Sequence, residues 1–66
     1  MPQLTPMRER VFRLLCEGKS NAEIAPLLGI SVATVSNHAK AVLKAFSVSS
    51  RHALLAEAAR RGLTGR

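Results

Sequence analysis

Residues Ile30 to Ala45, ISVATVSNHAKAVLKA, carry two unlike faces when wound into a helix. At about 100° per residue, Val32, Val35, Ala39, Val42 and the following Phe46 share one side. Ser36, Asn37, Lys40, Ala41 and Lys44 share the other. That second side offers hydroxyl, amide and ammonium groups and no carboxylate. A merely solvated helix face mixes signs, with Glu one turn from Lys, whereas a face that lies along phosphates excludes acids. The pattern predicts a helix that enters a DNA groove.

The whole chain agrees in sign. Ten Lys and Arg stand against four Glu and no Asp, a net charge of +6, as expected of a polyanion binder. Membrane is the competing polyanion, but there is no apolar run long enough to span one. The opening MPQLTPMRER lacks the hydrophobic segment of a signal peptide, and the basic residues are spread along the chain. A cytosolic, soluble protein is expected, and the single Cys16, unable to form an internal disulfide, suits a reducing compartment. Sixty-six residues allow one small domain, because a chain this short buries only about 60% of its unfolded surface; the 47% of hydrophobic residues is enough to fold it.

Working outward from the central helix, Ser31 is its N-cap and Gly29 the turn before it. Upstream, Ser20-Asn21-Ala22-Glu23 forms a capping box that starts a helix burying Ile24, Ala25, Leu27 and Leu28. Pro26 lies inside it and removes the backbone bond to Ala22, at a cost of about 3 kcal/mol in a helix interior, so a bent or irregular helix is expected. Further upstream, Thr5 caps and Pro6 opens a helix with Met7, Val11, Leu14 and Leu15 on one stripe, Phe12 beside it, and Gly18 as its stop. Downstream, Ser47, Val48 and Ser49 make a short loop. A last helix then buries some of Ala53, Leu54, Leu55, Ala58 and Ala59 and ends at Gly62, with Arg60 and Arg61 against its dipole. Thr64 to Arg66 are expected to fray. No stretch alternates with period two, so the predicted fold is all-α: a four-helix bundle-like domain with helices near 6–17, 20–28, 32–46 and 50–61, forming a single domain over 1–66.

The second and third helices with their Gly-containing turn form a helix-turn-helix, in which the second helix of the pair enters the major groove. The string LTP…VFRLLCEGKSNAEIAPLLGISVATVSNHAKAVLKAFSVSSR also resembles the DNA-binding domain of LuxR/FixJ-type (GerE-type) transcriptional regulators, with SNAEIA, GIS, TVSNH and SSR in order from Leu4 to about Leu63. The resemblance implies sequence-specific binding of double-stranded DNA to regulate transcription, without catalysis or cofactor. It also implies a third helix that reads a palindromic operator and a fourth that pairs two copies, recruiting or blocking RNA polymerase. Carried over by position, it places base reading on Ser36, Asn37 and Lys40. Phosphate contacts fall on Ser20, Asn21, Ser31 and Thr34, supplemented by Lys44 and Arg51.

Three departures stand out. Relatives usually place Arg-Glu after LT-Pro, where this chain has Met7-Arg8, so Thr5 lacks the carboxylate of a capping box and the first helix starts less firmly. Many carry Lys where this chain has Ser36, which removes a charged arm from the groove. The common Lys-Leu-Gly before the final loop is Ala45-Phe46-Ser47, losing a charge and a glycine.

Several residues admit a plainer reading. Ser36, Asn37, Lys40 and Lys44 are also compatible with ordinary solvated surface. Arg51 either contacts phosphate or pairs with Glu9 or Glu17. Leu54, Leu55 and Ala58 are dimer candidates or simply core. His38 reads as a packing residue and Cys16 as a small core residue; with His52 they lack metal-ligand spacing, so no zinc site is expected. Two other functions compete: a promoter- or polymerase-binding module like a sigma-factor region, and a protein-interaction module, such as an anti-activator, that has lost DNA. An enzyme is not expected, since there is no phosphate loop, no nucleophile and base pair with a pocket, and little room for one.

Overall fold

The computed structural model describes residues 3–63, so the fraying expected of Thr64 to Arg66 lies outside the described residues. The fold is all-helical: α1 (Pro6–Cys16), α2 (Asn21–Leu28), α3 (Val32–Ala45) and α4 (Arg51–Arg60), with no strand among the described residues. Each helix begins one residue after a hydroxyl side chain. The oxygens of Thr5, Ser20, Ser31 and Ser50 accept the backbone N–H of Arg8, Glu23, Thr34 and Ala53 at 3.1–3.2 Å, satisfying one otherwise orphaned donor in each first turn. At Ser20 the box is reciprocal, since the Ser20 N–H donates to Glu23 Oε1 at 2.8 Å. The helices therefore start or stop a residue inside the expected bounds, because the outermost residues are caps rather than helix.

The helix ends share one device. After α3 the Ser47 N–H donates to the Lys44 carbonyl and the Val48 N–H to the Leu43 carbonyl, both at 3.0 Å. This Schellman closure needs a left-handed residue, and Ser47 supplies it at φ 57°. The missing glycine noted in the sequence is thus missing where the backbone most favours one.

α3 is the central element. It packs against both α1 and α2, and α1 packs also on α4. Val35 and Val42 are wholly buried with Val11 and Leu15 of α1, Ile24 of α2, and Leu54 and Ala58 of α4. Phe46, at the C-terminal end of α3, stacks on Phe12 with ring centroids 5.0 Å apart. The Arg61 guanidinium covers its ring at 5.3 Å, a cation–π contact that seals the core's edge.

Two residues expected in the core are on the surface: Leu27 is 59% exposed and Val32 49%. Leu27 lies about 100° round α2 from the stripe of Ile24, Ala25 and Leu28, and a helix held from one side covers only that side. Val32 stands on the correct side of α3 but in its first turn, and a wheel gives a direction without saying whether a neighbour exists at that height. α2 runs unbroken through Pro26, from Asn21 to Leu28. Pro26 and Ala22 are both exposed, so water can replace the bond the proline forfeits.

Candidate nucleic-acid interface

The outward face of α3 is built by the same periodicity that fills the core. Ala33, Asn37, Lys40 and Lys44 are exposed, with Ser36 half-buried beside them. Their spacing of four, three and four residues makes one straight stripe along α3. No acid occurs anywhere in α3, and among the described residues neither lysine forms an ion pair. Ala33 was not among the expected site residues, although its helical angle falls between those of Lys40 and Lys44. Ranking positions by polar chemistry passes over a methyl group.

The starts of α2 and α3 flank this face with hydroxyls that are already engaged. Ser31 Oγ accepts the Thr34 N–H and lies 2.9 Å from Thr34 Oγ1, so one hydroxyl proton is used between the two and the other remains free. Glu23 places a carboxylate in the first turn of α2. It is held by the Ser20 N–H and lies near Lys19, and its pKa is lowered first by that backbone bond. The charge is thereby turned back onto the cap.

Arg51 reaches across to α2 in place of the expected ion pair. Its Nη1 donates to the Lys19 carbonyl at 2.8 Å and its Nη2 to Asn21 Oδ1 at 2.9 Å. The expected ion pair with Glu9 or Glu17 is absent: Glu9 pairs with Arg13 one turn away. The fork instead ties the first residue of α4 to the residues flanking the start of α2, and it fixes which end of the Asn21 amide is oxygen, leaving the NH2 free to donate.

In α4, Leu54 and Ala58 are wholly buried. They are core residues and are withdrawn as dimer contacts, since a partner copy cannot reach a side chain already buried in the domain's own core. Leu55 is half-exposed, and His52, Ala56 and Ala59 are exposed beside it. At the far end of α4, Glu57 accepts from Arg60 and Arg61 at 2.5 and 2.6 Å.

The capped α2, the left-handed Gly29 at φ 68° and the acid-free α3 define a helix-turn-helix DNA-binding domain. Residues 2–58 match the family described as bacterial regulatory proteins, luxR family, and the chain belongs to that family. It is similar to proteins carrying the provisional name HTH-type transcriptional regulator from Mycobacterium bovis and Mycobacterium tuberculosis strain H37Rv, each 46% identical over 59 residues. That match covers 89% of this chain and 7% of each relative, so the chain corresponds to a small part of their length. It also superposes on a chain in the crystal structure of the Vibrio cholera VqmA–ligand–DNA complex with a TM-score of 0.92 at 30% identity, covering all of this chain and 29% of that one.

Proposed function

We propose that this domain binds double-stranded DNA sequence-specifically to regulate transcription, with α3 lying in the major groove. The observation that carries the reading is the exposed, acid-free stripe of Asn37, Lys40 and Lys44 on α3. A helix with its side chains is about 10–12 Å across, and the major groove of B-DNA is about 12 Å wide. Lys40 suits the O6 and N7 acceptors of guanine, Asn37 the paired donor and acceptor of adenine, and Ser36 either kind of edge. Lys44, the Asn21 amide and the hydroxyls of Ser20, Ser31 and Thr34 hold the phosphates on either side. Arg51 acts on the same strand mainly by holding Asn21, with its remaining N–H groups free to donate.

The regulator acts as a homodimer on a palindromic operator in the cytosol, two copies meeting through the exposed side of α4 around Leu55, and it recruits or obstructs RNA polymerase. A second reading, a protein-interaction module, is favoured by one feature: Leu27 stands exposed in a shallow groove with Leu14 and Leu28, rimmed by Arg10, Arg13 and Glu17. Selection from a random duplex pool separates the two. Enrichment of a two-fold symmetric consensus supports the operator reading, and failure to shift any duplex at low salt overturns it.

A further inference from the structure

The first turn of α3 presents methyl groups where a purely electrostatic DNA binder would present donors. Val32 is 49% exposed. Ala33 is exposed beside it, in line with Asn37 and Lys40. The polar groups of the same turn are drawn together, with Ser31 and Thr34 Oγ atoms 2.9 Å apart. Val32 is not one of the buried core residues, and about half of it stays in solvent. In a helix-turn-helix, the N-terminal residues of the recognition helix are those that meet base edges, and thymine is the only standard base that offers a methyl group in the major groove.

We infer that Val32 and Ala33 form an apolar reading site for the 5-methyl group of thymine. The inference rests on α3 lying in the major groove, and it adds a component of specificity that the polar residues of the stripe do not supply. Ser36, Asn37 and Lys40 discriminate by hydrogen bonds. Val32 and Ala33 discriminate by burying one methyl group, which also lets them accept 5-methylcytosine at the same position.

The test uses the full chain and the duplex enriched from the random pool, with each thymine of a half-site replaced in turn by deoxyuridine, which removes the methyl and nothing else. At one or two positions the affinity should fall about fourfold, the effect of one buried methyl-sized group. The double variant Val32→Ser/Ala33→Ser, checked for an unchanged helical spectrum, should bind the thymine and deoxyuridine duplexes equally. Tight binding of the parent duplex with no deoxyuridine effect anywhere overturns the methyl site and leaves the DNA-binding reading standing. A deoxyuridine effect that persists in the double variant assigns the methyl to another residue and also overturns it. Binding to no duplex removes both readings together.

Discussion

Ser47 is a side chain in a place built for none. Its φ of 57° lies in the region where a Cβ crowds the following carbonyl, costing roughly 1–2 kcal/mol. The Ser47→Gly variant removes that strain but loosens the unfolded chain by about 0.4–1 kcal/mol. The expected net gain is about 0.5–1 kcal/mol, read as a rise in Tm of roughly 5 °C in a domain of this size. A lower Tm would show that the serine hydroxyl contributes more than the strain removes. Lys40 is the opposite kind of residue, exposed and unpaired among the described residues, so Lys40→Ala should leave the unfolding free energy within about 0.5 kcal/mol of the parent. Its effect belongs to binding: a loss of about 1–3 kcal/mol for the selected duplex and much less for random sequence. Equal losses on both would reduce Lys40 to a phosphate contact.

At the scale of elements, the Arg51 side chain ties α4 to the start of α2. Arg51→Gln removes the fork that holds the Lys19 carbonyl and Asn21 Oδ1, and the expected destabilisation is about 1–2 kcal/mol in denaturant unfolding. Arg51→Lys should rescue only part of it, because an ammonium cannot address two acceptors in the fixed geometry of a guanidinium. Full rescue by lysine would mean that charge, not the fork, does the holding. The other end of α4 is sensitive to pH. Arg60 first, then Arg61, hold the Glu57 carboxyl below its ordinary pKa by hydrogen bonding. A depressed folded pKa contributes stability above the unfolded value, and that contribution disappears as pH falls through the folded one. Glu57→Gln should therefore melt below the parent at neutral pH, with the two melting curves converging in acid. A gap that persists at low pH would assign the effect to packing instead of charge. Arg61 also covers Phe46, so this small network links the end of α4 to the end of α3.

At the scale of the whole molecule, the net charge of +6 makes DNA affinity a function of salt. Binding that neutralises about four phosphates should weaken roughly 100-fold between 50 and 200 mM salt through release of counterions. Affinity that barely changes over that range would be incompatible with a phosphate-held complex. Deletion of one large core side chain is poorly tolerated at this size: a loss of about 3–5 kcal/mol at Phe46 is comparable to the whole stability of a domain with so little buried surface.

Much of this was legible in the chain alone, for a local reason. Caps, helix periods and left-handed stops depend on residues within four positions of one another, so Thr5, Ser20, Ser31, the apolar stripe of α1 and the polar stripe of α3 are all readable from spacing. The family motifs are equally linear, and they carried the family to which the chain belongs. What needed the tertiary structure was every statement about a neighbour distant in sequence. Arg51 reaches across 30 and 32 positions to its partners, and no charge pattern distinguishes that fork from a pair with Glu9 or Glu17. Leu54 and Ala58 look like any apolar pair on a helix until the folded core is seen to bury them. Val32 and Leu27 look like core until about half of each is found in solvent. Periodicity assigns a side chain its direction; only the arrangement of the other helices decides whether that direction leads to core, solvent or DNA.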